Sequence, residues 1–131
     1  MHARQMDHIV LEVRDIEASL HFYRDLLGME PVRVEAYRAG GAPFPSVRVG
    51  DTLIDLFAAE EPSSGLHHFC IEVAEPLDAI LAELDGHALR YTGVGTRFGA
   101  RGQGQSVYVE DPDGHRVEIR TYASPTSTRQ D

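Results

Sequence analysis

The residues of this chain best suited to chemistry are histidines and acids that recur at matched positions. His8 lies in Asp7-His8-Ile9-Val10-Leu11-Glu12-Val13, and His68 lies in His67-His68-Phe69-Cys70-Ile71-Glu72-Val73. A shift of 60 positions lays the first stretch on the second, with His8 on His68, Glu12 on Glu72 and Val13 on Val73. The same shift lays Ser46-Val47-Arg48-Val49-Gly50-Asp51 on Ser106-Val107-Tyr108-Val109-Glu110-Asp111. Beyond that stretch the match slips, because Pro112-Asp113-Gly114-His115-Arg116 reads as a turn about three residues longer. Leu53-Ile54-Asp55-Leu56-Phe57 then answers to Arg116-Val117-Glu118-Ile119-Arg120, and Asp55 to Glu118. Two imidazoles with a carboxylate suit a divalent metal such as Fe, Mn, Ni, Co or Zn and leave positions open for water and substrate. A chain with seven histidines and 21 acids offers many such triples, so the weight rests on repetition in register at two separated places.

The elements that must position these groups repeat as well. A strand over 7–13 alternates with period two, and Asp15 suits the N-cap of a helix with Ile16, Leu20, Tyr23 and Leu27 on one face. Gly28 stands where a helix-ending glycine belongs, and extended pieces follow over 30–37, 45–49 and 52–58. The second copy reads as a strand over 67–73, a helix from Pro76 to Gly86, and strands over 88–91, 106–110 and 116–122. The fold class is therefore α+β: two βαβββ modules, about 5–61 and 66–123, in one domain whose mixed sheets curl into a cup around a central cleft. Residues 1–4 and the tail 124–131 read as loose, and the glycine-rich stretch from Gly93 to Gly104 as an irregular connection that could serve as a lid. Strand alternation sets Ile9, Leu11 and Val13, and again Phe69, Ile71 and Val73, toward the helices. It leaves His8, His68, Asp55 and Glu118 on the opposite faces, together with Cys70, which as a lone thiol reads as a buried structural residue.

Composition narrows the function. The net charge is −9, the pI is near 5.1 and all twelve basic residues are arginine, which argues against binding nucleic acid or an anionic membrane. One cysteine allows no internal disulfide, no apolar run approaches a membrane span, and no signal-type run follows the first residues. The expected location is the cytoplasm.

Met6-Asp7-His8-Ile9-Val10-Leu11-Glu12-Val13-Arg14-Asp15 with Ser19-Leu20-His21-Phe22-Tyr23-Arg24-Asp25-Leu26-Leu27-Gly28-Met29 resembles the opening of the vicinal-oxygen-chelate superfamily. Asp111-Pro112-Asp113-Gly114-His115-Arg116-Val117-Glu118-Ile119 resembles its closing turn and strand, so the resemblance spans nearly the whole chain. It implies a divalent metal held by His8, His68 and Glu118, with Asp55 at a fourth position that longer acids or amides fill in glyoxalase I and the epimerases. It implies a metal-dependent enzyme chelating a small oxygen-bearing substrate, by ring-cleaving dioxygenase or by lyase and isomerase chemistry. The alternative is a metal-free protein that sequesters a drug or metabolite, as bleomycin-binding relatives do. Tyr108 and Asp55 are the candidate proton-transfer groups, and Arg48, at the place matching Tyr108, and Arg120 are candidates to hold a substrate anion. A homodimer is expected by the same likeness.

Overall fold

The computed structural model describes residues 1, 2, 5–63 and 65–125. The expected loose segments fall partly on residues 3–4 and 126–131, which lie outside the described residues. The chain divides into two compact units, 1–65 and 66–131.

The first unit runs β1 (His8–Val13), α1 (Ile16–Leu20), β2 (Glu30–Val32), α2 (Val34–Arg38), β3 (Ser46–Val49) and β4 (Thr52–Ala58). Its sheet has the order β1-β4-β3-β2, with β1 parallel to β4 and the other pairs antiparallel. Asp15 caps α1, its carboxylate accepting from the Glu17 and Ala18 amides at 2.9 and 3.2 Å. The helix then widens into a π-helical turn, His21–Leu26, closed by the Leu27 amide donating to the Phe22 carbonyl. The wider turn delays rotation of the apolar face, so Leu26 is buried where a regular helix would bury Leu27. Leu11, Val13, Ile54 and Leu56 are buried on the sheet, and Leu20, Phe22 and Tyr23 on the helical segment.

The second unit runs β5 (Phe69–Glu72), α3 (Leu77–Gly86), β6 (Thr92–Gly99), β7 (Gly102–Glu110) and β8 (Arg116–Thr121). Its sheet has the order β5-β8-β7-β6, with β5 parallel to β8. Ile80 and Leu84 form the buried side of α3, and Ile71, Val107, Val109, Val117 and Ile119 the buried face of the sheet. Both units are thus mixed four-stranded sheets with few helices, and the α+β, twice-βαβββ reading holds.

Four expectations give way to the structure. The extended piece over 30–37 shortens to β2, where Pro31 sits on an edge strand; Arg33 at φ 60° then turns the chain into α2. Arg38 explains the helix: its guanidinium forks onto Glu17 at 2.7 and 3.1 Å and reaches Glu35 one turn back at 3.1 Å. The strand expected over 88–91 begins instead at Thr92, and the glycine-rich stretch is regular rather than irregular, because β6 and β7 pair as a hairpin across it. Its glycines let neighbours approach: a Cβ on Gly93 would lie 2.9 Å from the Tyr108 ring.

The fourth correction concerns the repeat. Val10 faces Asp55 and Cys70 faces Glu118, so Asp55 and Glu118 are true counterparts. On the other side, however, Asp55 faces Ser46 whereas Glu118 faces Tyr108. Tyr108 therefore answers to Ser46, and Arg48 to Glu110, two residues away from the 60-position match. The Asp111 amide bonds the His115 carbonyl at 2.9 Å, so three residues close the second turn where Gly50 and Asp51 close the first. The turn is longer by one residue rather than about three, and the other two are inserted earlier in the chain.

Arg38→Ala should lower the urea midpoint slightly at low salt and less at high salt, because these side chains are exposed and screened by solvent. Arg38 holds the Glu17 carboxyl below its ordinary range. That contribution is present above the ordinary carboxylate pKa and is lost as pH falls through the lowered one. Urea melts of both proteins at pH 7 and pH 3 check it: the difference should shrink at the lower pH.

Candidate functional site

In the first unit the parallel pairing of β1 and β4 sets His8 diagonally beside Asp55 on one face of the sheet. His8 Nε2 lies 3.9 Å from Asp55 Oδ2. Each group is held at its other atom. Asp7 Oδ1 lies 2.8 Å from His8 Nδ1, and the Ser46 hydroxyl donates to Asp55 Oδ1 at 2.6 Å. Asp55 is buried while His8 stays half-open to solvent. The His8 pKa is raised, first by the bond to Asp7 and further by the charge of Asp55, with partial desolvation opposing.

The second unit repeats the design. Cys70 faces Glu118 across the parallel pair β5 and β8, and His68 stands just ahead of β5. His68 Nε2 lies 3.3 Å from Glu118 Oε1. His68 Nδ1 is 2.7 Å from His67 Nδ1, so one of those two atoms carries the shared proton. Glu118 Oε2 accepts from Arg120 Nη2 at 3.2 Å. The Tyr108 ring meets His68 edge-on at 5.5 Å, and its own faces carry the guanidinium groups of Arg116 at 4.0 Å and Arg97 at 4.7 Å. A cavity of about 500 Å³ opens beside this tyrosine, with Arg90, Tyr91, Glu110 and Arg116 also in its wall.

Residues 5–119 match the family profile described as Glyoxalase/Bleomycin resistance protein/Dioxygenase superfamily. The chain belongs to that superfamily. Among its relatives, the virulence protein STM3117 of Salmonella typhimurium is 29% identical over 90% of this chain and 84% of its own. A lactoylglutathione lyase of Neisseria meningitidis is 30% identical over 86% of each chain. The methylmalonyl-CoA epimerase of Mus musculus is 27% identical over 76% of this chain, which spans 62% of that enzyme. The crystal structure of STM3117 superposes with a TM-score of 0.76 over 94% of this chain and all of that one, at 27% identity. An integron cassette protein of Vibrio cholerae gives 0.75 over 94% and 98%, at 28% identity.

In this superfamily member the histidines and acids come as two pairs, His8 with Asp55 and His68 with Glu118. Among the described residues no three His, Cys, Asp or Glu side chains form a group that could hold a metal ion. The chemistry of each pair nevertheless fits metal ligation. Every imidazole has Nδ1 engaged and Nε2 toward a carboxylate, the arrangement that outer partners impose on ligating histidines. The 3.3 Å between His68 Nε2 and Glu118 Oε1 is about the separation of two ligands that each sit roughly 2.0–2.2 Å from one ion.

The remaining candidates fall elsewhere. Arg48 is exposed, 3.8 Å from Glu30. Arg120 is buried, and its donors turn to Glu118 and to the Arg97 carbonyl, a holding position that strand alternation alone could not reveal. Cys70 is exposed rather than buried, and its thiol pKa is raised by partial desolvation and then by Glu118. The matched acids Glu12 and Glu72 serve the scaffold, Glu12 accepting from the Ser63 amide and Glu72 pairing with Arg101. Sequence reasoning missed Ser46 as a partner of Asp55; its signal was only its place opposite that acid, which depends on the register.

Ser46→Ala leaves a buried carboxylate oxygen without its hydroxyl donor and should cost about 1–3 kcal/mol of stability. Chemical denaturation at pH 7 checks it, and an unchanged midpoint would show that Asp55 does not need Ser46.

Proposed function

We propose that this protein is a metal-dependent lyase or isomerase that binds a small substrate through neighbouring oxygens and moves a proton at the carbon beside a carbonyl. The observation that carries the reading is the duplicate design: in each unit an imidazole Nε2 and one carboxylate oxygen face each other while the imidazole Nδ1 and the other carboxylate oxygen are tied down. Under this reading His8, His68 and Glu118 would be the residues that hold the metal, with Asp55 beside His8. When bound, the metal would supply positive charge to offset the negative charge that proton removal leaves on the substrate. Asp55, turned toward His8 and steadied by Ser46, takes the proton from carbon and returns it to the same or the neighbouring carbon. Tyr108, beside His68 and in the wall of the cavity, donates a hydrogen bond to a substrate oxygen, and the cavity takes the rest of the substrate.

The reaction is redox-neutral, which separates it from ring cleavage by oxygen. The lactoylglutathione lyase and the epimerase among the relatives support the same branch. Asp55 is shorter than the acid of that branch, yet its free oxygen does turn to His8. A metal-free sequestering role needs none of these atoms and receives no support from their pairing.

Protein purified without chelator should carry about one divalent metal per chain by elemental analysis, and His8→Ala, His68→Ala and Glu118→Gln should each lose most of it. Asp55→Asn should keep the metal better than those three. In D2O the wild type should wash deuterium into the carbon beside the carbonyl in a panel of 2-hydroxyketones, hemithioacetals and acyl thioesters, followed by NMR, and Asp55→Asn should not. Oxygen uptake with catechols in place of exchange would overturn the lyase reading in favour of a dioxygenase. A wild type that takes up no metal after reconstitution would overturn both.

A further inference from the structure

The second unit holds its acid in a way the first does not. In the first unit Asp55 is steadied by a hydroxyl on the neighbouring strand, Ser46. The counterpart of Ser46 is Tyr108, whose ring lies against His68. Glu118 is steadied instead along its own strand, by Arg120 two residues on and on the same face. The counterpart of Arg120 is Phe57, so the arginine has no equivalent in the first unit.

Arg120 is fixed on several sides. Its side chain is 5% exposed and that of Glu118 is 7%. Nη2 donates to Glu118 Oε2 at 3.2 Å, Nη1 donates to the Arg97 carbonyl at 3.0 Å, and the guanidinium lies over the Tyr122 ring at 5.4 Å. Arg97 is itself tied to β7, donating to the Ser106 hydroxyl at 3.0 Å. A Cβ on Gly104 would stand 2.8 Å from the Thr121 carbonyl oxygen and 2.9 Å from Arg120 Nη1, so the glycine serves the close approach of the β8 backbone as well as the guanidinium. A glycine in the middle of a strand weakens it, and here it leaves the room that the arginine occupies.

We propose that Arg120 is the positioning residue of the metal site, holding Glu118 Oε2 so that Oε1 is presented beside His68. The inference rests on the metal reading above. A carboxylate held at one oxygen by a fork of fixed direction binds an ion through the other oxygen and loses less freedom when it does. The guanidinium also offsets the charge of the buried Glu118.

The test uses Co(II) alone on the full chain, with affinity read by competition against a chelator and geometry read from the d–d absorption bands. Arg120→Met should weaken Co(II) binding by about 10–100-fold and shift the bands, the scale expected when an outer-shell partner of a ligand is lost. Arg120→Lys keeps the charge but not the fork and should recover part of the affinity with a spectrum still displaced. Each variant is compared at equal folded fraction by circular dichroism; if Arg120→Met does not fold, Arg120→Lys decides the matter. Folded variants that bind Co(II) as tightly as the wild type with identical bands would overturn the positioning role and leave the metal reading standing. A wild type without Co(II) binding would overturn the metal reading itself.

Discussion

The parallel pairing of the first and last strands of each module is the constraint on which the rest depends. β1 lies beside β4 and β5 beside β8, so a histidine at the start of one strand and an acid in the middle of another share a face. Neither pair is close in sequence. The intervening helix and two strands are the crossover that a parallel neighbour requires, and the buried Leu11, Val13, Ile54 and Leu56 leave the opposite face to the polar groups. A slip of one residue in either pairing would send the imidazole and the carboxylate to opposite sides.

Given that frame, each half confronts a buried carboxylate, which is costly unless its oxygens are bonded. The first unit answers with a hydroxyl on the adjacent strand, and the second with an arginine on the same strand. The difference follows from side-chain reach. Asp55 is short and meets a small partner directly opposite. Glu118 has one more methylene, which lets it approach His68 to 3.3 Å and still return its second oxygen to a guanidinium two residues on. In both halves one oxygen is satisfied and one is left facing an imidazole, which is the shared feature behind the proposed metal chemistry.

Tyr108 links that chemistry to a place for substrate. Its edge is against His68, its faces carry two guanidinium groups, and the cavity opens beside it. Cationic groups against an aromatic ring keep the tyrosine from turning away, and Gly93 lets the ring come close to β6. The hairpin of β6 and β7, which looked irregular from its glycines, is thus a wall of the site region, built where a side chain would collide with one of its residues.

What the sequence by itself determined is local or repeated: the period-two strands, the capped first helix, the twice-βαβββ order, and the faces on which His8, His68, Asp55 and Glu118 stand. These follow from alternation and from two copies in register, which need no knowledge of neighbours. The tertiary structure alone decided what depends on cross-strand partners. The ladder hydrogen bonds moved the repeat by two residues at Tyr108 and Arg48, because insertions between strands leave no mark on periodicity. They also turned the stretch from Gly93 to Gly104 into paired strands, since a glycine run reads as irregular until its partner strand is known. Ser46 and Arg120 became the keepers of the two acids for the same reason: a carboxylate's second oxygen is satisfied by whatever the register brings opposite or alongside it, and the register is a property of the folded sheet.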